Sequence, residues 1–505
     1  MIRRTSPPVL AVALLFSIVS HVPAAERAAP FVVTGGVRQL FLDDAGIEKR
    51  QGLHRTLHPP RRHPANPVVR PDKPWEHYCS LYGTVVFDPK RDCFRMWYLT
   101  SPRDRGLRML ELGGSRVRAP HTTLAAYAES HDGVSWVKPK LGQLPYDGDS
   151  NNNLLDLGIN NCEGMSVLVD VDDPDPARRY KCLYWDHGSG GYEVRDGKPY
   201  CKPGEDDGMC AAVSADGITW KPLAENPIIK RYCDTNQNLL FDPALGRYVA
   251  FSRFGMGRVL ARSESADFRH WTEPALVLKC DDADGPAAQI YGAGVERYEG
   301  VYLAMIWIYH EGTDATIDTQ LATSRDGIHW TRVADRAVWL ALRDSDSWQG
   351  GMVRSVERII RRGDELLIYY GGIHGPHGRP GHPTVERKHR GALGLAIQRR
   401  DGFVSLDAGQ DEGWLLTRPF RLPAGALHVN VDAREGELRA QLCDAAGEPL
   451  EDFEVSQPVT GDQLDAVVRF GTGNLSAYAH QTVRLRITAR QARLYSYWFA
   501  AAGDR

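Results

Sequence analysis

An all-β fold, a five-bladed β-propeller followed by a C-terminal β-sandwich, is predicted by a recurring hairpin, a turn-rich composition and a late change in strand pattern. The hairpin reads Ser130-His131-Asp132-Gly133-Val134-Ser135-Trp136, then Ser214-Ala215-Asp216-Gly217-Ile218-Thr219-Trp220. It returns as Ser263-Glu264-Ser265-Ala266-Asp267-Phe268-Arg269-His270-Trp271 and as Ser324-Arg325-Asp326-Gly327-Ile328-His329-Trp330, with a degenerate fifth copy at Arg399-Arg400-Asp401-Gly402-Phe403. Asp-Gly between short β-forming runs marks a tight turn, because Gly supplies the positive φ that the turn needs. Recurrence every ~50–80 residues points to radial repetition, one hairpin per blade. The 505 residues exceed what one compact core holds, and 49 Gly, 31 Pro and 12 Trp suit a turn-rich β protein.

The blades follow in order from their strand signals. The first comprises Thr84–Phe87, Phe94–Leu99, Thr122–Glu129 and the Trp136 strand; the second Met165–Val169, Tyr180–Trp185, Met209–Ser214 and the Trp220 strand. The third comprises Asn238–Phe241, Tyr248–Arg253, Arg258–Ser263 and the Trp271 strand; the fourth Gly292–Arg297, Val301–Ile308, Thr319–Ser324 and the Trp330 strand. The fifth runs through Met352–Ile359, Glu365–Tyr370 and Ala392–Gln398 to a closing strand near Phe403. Asp88-Pro89 and Asp242-Pro243 fall in first hairpins, where Pro pre-sets φ. Beyond Phe403 the alternation in Ala426–Val431, Glu437–Cys443, Ala466–Phe470, Val483–Ile487 and Ala492–Phe499 reads as a sandwich. The expected boundaries are a signal peptide over 1–24, the propeller over 36–410 and the sandwich over 413–505.

Strand direction then assigns the two faces. Strands alternate, so the Asp-Gly turns between third and fourth strands lie opposite the face that collects the segments before each first strand. Those segments carry Trp75, Glu76, Glu163, Asp234, Tyr291, Asp346 and Trp348, while the segments after the second strands add His187, Arg253, His310 and His374. Acids, His, Arg and aromatic rings in equivalent loops suit a sugar, since rings stack on C–H faces and bidentate groups grip hydroxyls. Glu76, Glu163, Asp234 and Asp346 are the candidate catalytic carboxylates; Trp75, His187, Arg253, Tyr291, His310, Trp348 and His374 are the candidate substrate contacts.

The Ser-x-Asp-Gly-x-x-Trp hairpins resemble those of the five-bladed propeller glycoside hydrolases, the superfamily of arabinanases, β-xylosidases and invertases. Arg38-Gln39-Leu40-Phe41-Leu42-Asp43-Asp44, Leu57–Arg61 and Tyr369-Tyr370-Gly371-Gly372 also resemble a group of exported bacterial proteins described only as glycosyl-hydrolase-like. The resemblance covers roughly residues 36–410 and implies acids on the first strands: a base or nucleophile, a general acid and a third that tunes them. No catalytic residue transfers by motif, because Tyr82-Gly83-Thr84 stands where the arabinanase type has Asp-Pro. The four carboxylates are therefore nominated by position.

Arg3 and Arg4, the apolar run Val9–Val19 and the small residues at Val22 and Ala24 read as an export signal cleaved after Ala24, so the mature chain is expected to be secreted or periplasmic. A net charge of −3 gives no basic field for nucleic acid, and no later stretch is apolar enough to span a membrane. Nine scattered cysteines without a Cys-x-x-Cys pair argue against zinc; most read as buried small hydrophobes, with Cys201 and Cys210 able to close a loop. No cofactor is called for, and a structural calcium ion stays open. The expected function is hydrolysis of glycosidic bonds in oligo- or polysaccharides by paired carboxylates, with carboxyls about 5–5.5 Å apart for retention and about 6.5–9.5 Å for inversion. The alternatives are a non-catalytic glycan-binding propeller and a structural interaction protein of the cell envelope.

Overall fold

The computed structural model describes residues 31–101, 123–157, 162–186, 192–195, 198–201, 207–377, 391–451, 453–471 and 473–500. The expected signal peptide, residues 379–390 and His187 lie outside the described residues, as do the side chains of Glu163 and Cys201. The fold is all-β: the helices among the described residues are short 3-10 turns such as Pro176–Arg178 and Asp282–Asp284, and the strands curl into a nearly closed, barrel-like arrangement.

Antiparallel sheets follow one another along the chain. The first holds Tyr78–Asp88, Cys93–Ser101 and Leu124–Ser130; the second Glu163–Val169, Tyr180–Asp186, Gly208–Ser214 and Lys221–Pro222. Asn238–Asp242, Arg247–Ser252, Leu260–Ser265 and Ala275–Leu278 make the third. Ala288–Tyr298, Val301–His310 and Ile317–Ser324 come next, and a parallel pair, Ile317 with Met352, joins them to Met352–Arg362, Glu365–Ile373 and Ala392–Arg399. The leading strands pack in a circuit: Tyr78–Asp88 on Glu163–Val169, that on Asn238–Asp242, that on Ala288–Tyr298, that on Met352–Arg362, and the last back on the first. Middle strands such as Cys93–Ser101, Tyr180–Asp186 and Gly208–Ser214 are buried along their whole length. Each is packed on both faces, so its sequence is mostly apolar without strict alternation, and the buried Arg95 and Lys181 within these strands are bonded to Tyr127 and Asp170. Lys221–Pro222 is a short, exposed edge, a form that discourages pairing with other chains.

The hairpins share one bonding scheme. Ser130 Oγ accepts from Gly133 N at 2.9 Å, and Asp132 Oδ1 accepts from the N–H groups of Val134 and Ser135 at 2.8 and 2.6 Å. Asp216 and Asp326 repeat it on Ile218, Thr219, Ile328 and His329. In the third copy Ser265 is the serine, and Phe268 takes the left-handed turn at φ 66 that Gly133 takes at φ 76. Val137 pairs with Glu129, Lys221 with Val213, Trp271 with Ser265 and Trp330 with Ser324, so the four tryptophans hold equivalent outer positions. Ser130 lies opposite Phe94 and Ser214 opposite Tyr180, at the Asp88 and Val169 ends of the leading strands. The turns therefore face away from Tyr78 and Glu163. Neighbouring sheets grip them: Tyr369 donates to Gly133 O at 2.8 Å, Arg95 to Asp216 O at 2.6 Å and Trp97 to Gly217 O at 2.7 Å. Backbone N–H groups, that of Ser135 foremost, hold the Asp132 carboxyl well below the usual range. Asp132→Ala and Asp326→Ala are each expected to cost about 1 kcal/mol in chemical denaturation, the loss of a turn hydrogen bond, with turnover unchanged.

The fifth copy departs from this scheme. Arg399 stands where the other copies have serine, and Asp401 itself adopts positive φ, 61. Its buried carboxylate accepts from Arg38 Nη1 at 2.9 Å, the Tyr298 hydroxyl at 2.7 Å and Ser496 Oγ at 2.8 Å. Without the serine hydroxyl to seal a hairpin, the chain leaves the sheet. The strand after Phe403, Val404–Ala408, pairs with Leu53–Leu57 and Ala492–Leu494, not with Ala392–Arg399. The strand added to Ala392–Arg399 is instead Arg61–Arg62, from near the start of the chain.

The C-terminal region forms a ten-stranded sheet that recruits Gln39–Leu40, Ile47–Gln51 and Leu53–Leu57. Segments read as two strands, Ala426–Val431 and Glu437–Cys443, are one bulged strand, Ala426–Cys443. Its core continues into that of the other sheets: Leu303, Trp339 and Leu366 cluster with Phe403, Leu427 and Phe499. Cys79, Cys93, Cys182, Cys233 and Cys443 are buried.

Candidate functional site

Several leading strands break their ladders near the end opposite the hairpins. Register shifts fall between Ser80 and Thr84, Glu163 and Ser166, Ile290 and Gly292, and Ser355 and Ile359. Such bulges re-aim side chains and free backbone groups, and they are common beside functional sites. At Tyr291 the freed carbonyl accepts from Arg253 Nε at 3.1 Å and Nη2 at 2.5 Å, and from Thr235 Oγ1 at 3.1 Å.

Around this carbonyl three arginines meet an aromatic wall. The Arg253 guanidinium lies 4.7 Å over the Tyr291 ring, with Nη1 3.6 Å from Asp234 Oδ2. Arg258 lies 4.8 Å over Tyr309, donates to Gln289 Oε1 at 2.7 Å and stands 3.6 Å from Glu311. His377 sits edge-on to Tyr291 and Tyr309, with Nε2 3.3 Å from Arg258 Nη2. Arg354 lies 4.5 Å over Tyr82, which stacks on Trp307 at 5.6 Å. Burial, then Arg258, Arg354 and Arg253, push His377 down to about 4, so at neutral pH its ring is uncharged and can accept or donate one proton. Burial also lifts the Tyr82 hydroxyl well above its ordinary value and keeps it protonated.

Beneath the bulges, side chains from separate sheets close the centre. The Glu357 carboxyl is bonded to the Thr84 and Ser166 hydroxyls. Thr84 Oγ1 in turn accepts from Val167 N at 2.8 Å, and Ser166 Oγ from Leu239 N at 2.9 Å. Burial pushes Glu357 up to about 7, against the pull of Arg358 and the two hydroxyls. This network ties four leading strands together and makes a floor.

Of the residues nominated from sequence, Asp234, Arg253 and Tyr291 are brought together. The backbone of Glu163 runs beside them, since a Cβ at Gly164 would overlap Thr235 O and Asn236. Glu76 is buried elsewhere: it accepts from the Tyr98 hydroxyl and Lys138 Nζ at 2.6 Å each and from Asp72 N at 3.1 Å. Trp75 donates to Asn153 Oδ1 at 2.9 Å and sits edge-on to Tyr146. Asp346 is exposed on its own loop; the adjacent Trp348 stacks on Tyr370 at 5.8 Å, and His374 Nδ1 lies 3.0 Å from Ser347 O. His310 Nε2 pairs with Asp318 Oδ2 at 2.8 Å, and that bond raises its pKa. Arg258, Arg354 and His377 were not singled out from sequence. For Arg354 a signal existed: it is the one charge in Met352-Val353-Arg354-Ser355-Val356, an otherwise uncharged strand segment. Among the described residues no group of three or more His, Cys, Asp or Glu could hold a metal ion, and no helix is long and apolar enough to cross a membrane.

No protein-family model matches the sequence, and no curated protein matches it. Among solved structures, the chain is similar to a glycosyl hydrolase from Bacteroides ovatus at 14% identity, covering 68% of this chain and 94% of that one with a TM-score of 0.45. It is similar to an α-L-arabinofuranosidase from Podospora anserina at 12% identity, covering 69% of this chain and 98% of that one with a TM-score of 0.39. It is also similar to a family 43 arabinoxylan arabinofuranohydrolase from Bacillus subtilis at 11% identity, covering 88% of this chain and 99% of that one with a TM-score of 0.40.

Proposed function

We propose that the chain is an exported glycoside hydrolase, built as a five-bladed β-propeller with a C-terminal β-sandwich, and that its substrate binds at the bulged ends of the leading strands. The observation that carries this reading is the convergence of Asp234, Arg253, Tyr291, Tyr82 and His377 at one end of the strand circuit, opposite the hairpins. Aromatic faces there can hold a sugar ring, and the arginine and amide donors can fix its hydroxyls. Asp234 and Glu163 lie on adjacent segments and are the pair assigned to proton transfer and attack, one protonating the leaving oxygen and the other activating water or attacking carbon. Glu76 has its oxygens committed to Tyr98, Lys138 and Asp72, which leaves it a bracing role.

A glycan-binding module without catalysis is the second reading. It is favoured by one feature: Asp234 and Glu311 each lean on an arginine. The test is a screen of the purified protein on plant, algal and microbial oligosaccharides, read by both product formation and calorimetric binding. Release of reducing ends supports the hydrolase. Binding without cleavage, equal in wild type and Asp234→Asn, replaces it with the module, and absence of both removes the glycan reading.

A further inference from the structure

Arg354 is 5% exposed, yet among the described residues no carboxylate lies within ion-pairing distance of it. Its Nε has no hydrogen-bond partner, and Nη2 reaches only Ser80 Oγ at 3.3 Å. A buried cation without a counter-charge is strongly unfavourable in an isolated protein. The ring faces of Tyr82 and Trp307, 4.5 and 5.9 Å away, offset part of that cost. The other two arginines of the site do have acidic neighbours, Asp234 for Arg253 and Glu311 for Arg258. Of the three, Arg354 alone has no acidic neighbour among the described residues, and its buried Nε is left without an acceptor.

We infer that the glycan bound here carries an anionic group, a carboxylate or a sulfate ester, and that Arg354 receives it. Both groups carry a full negative charge shared over oxygens that accept charge-assisted hydrogen bonds from a guanidinium. Three guanidiniums, Arg253, Arg258 and Arg354, gather here against two acidic neighbours, Asp234 and Glu311, and all three arginines add to burial in keeping His377 uncharged. This inference rests on the glycan reading above and narrows its substrate class.

The test is isothermal titration of wild type, Arg354→Met and Arg354→Lys with uronate trimers, sulfated trimers, their carboxyl-reduced or desulfated counterparts, and inorganic sulfate alone. Wild type should bind one acidic class at least tenfold more tightly than its neutral counterpart, with affinity falling as salt rises. Arg354→Met should abolish that preference, lowering affinity for the acidic sugar at least tenfold more than for its neutral counterpart, and Arg354→Lys should restore part of it, as charge without the fork would. Thermal melts establish that each variant folds; if Arg354→Met does not, Arg354→Gln replaces it. The acidic class that binds identifies the group as carboxylate or sulfate. Equal wild-type binding of acidic and neutral sugars, or a preference that survives in Arg354→Met, overturns the inference and leaves the glycan reading standing. Inorganic sulfate binding as tightly as sulfated sugar also overturns it. Binding of no sugar at all defeats both.

Discussion

Asp234→Asn is expected to lower glycosidic turnover by about 10²–10⁴-fold, the usual loss when a positioned acid or base is removed. Asn keeps the shape and the hydrogen bond from the Tyr232 hydroxyl, which lies 3.2 Å from Oδ2, so the fold should be undisturbed. Asp234 is also partly exposed, and its contact with Arg253 is a 3.6 Å pair whose contribution to stability is small. The melting temperature should therefore hold while rate collapses. A variant with wild-type kcat would remove Asp234 from the chemistry; one with unchanged kcat but raised KM would make it a substrate contact. Glu163→Gln is the companion measurement, and parallel losses in both single variants without further loss in the double would mark the two as a unit.

Stability should fall as pH rises from about 4.5 to about 7, by roughly 3 kcal/mol attributable to Glu357 alone. The sign follows from proton binding. Glu357 titrates at about 7 when folded and near 4.5 when unfolded, so between those values the folded chain holds more protons. Its contribution is fully present below the unfolded value and is lost as pH passes the folded one. Glu357→Gln mimics the protonated form and keeps partners for Thr84 and Ser166. Denaturation of both proteins from pH 4 to pH 8.5 should give curves that lie together at low pH, separate between about pH 4.5 and 7 and run parallel above, with the variant then the more stable. A difference that does not vary with pH would mean that Glu357 is already ionised in the folded core.

What was legible in the sequence was local. Ser130, Asp132 and Gly133 bond one another within a few residues, so the motif forecasts its own geometry wherever the serine is present. At Asp401 the serine is missing and the forecast hairpin fails. Arg253 and Tyr291 were legible because loop ends beside strands collect function. The bulge that joins them was not, since it depends on how Ala288–Tyr298 lies on Val301–His310. Glu76 shows the opposite limit. Its position before a leading strand matched that of Asp234, but Lys138, 62 residues away, claims its carboxylate, a pairing that no local pattern announces.

Among the described residues the strand Arg61–Arg62 and the strands of residues 39–57 have their ladder partners only beyond residue 390, and the Gln398 bond to His58 O spans 340 residues. On a ribosome adding about 5–20 residues per second, those early strands wait on the order of tens of seconds before anything exists for them to pair with. Through that interval the sheet built from Met352–Arg362, Glu365–Ile373 and Ala392–Arg399 is also not finished, and the nascent chain presents open strand edges. Completion of these sheets is thereby deferred until the strands beyond residue 390 emerge and capture those of residues 39–62.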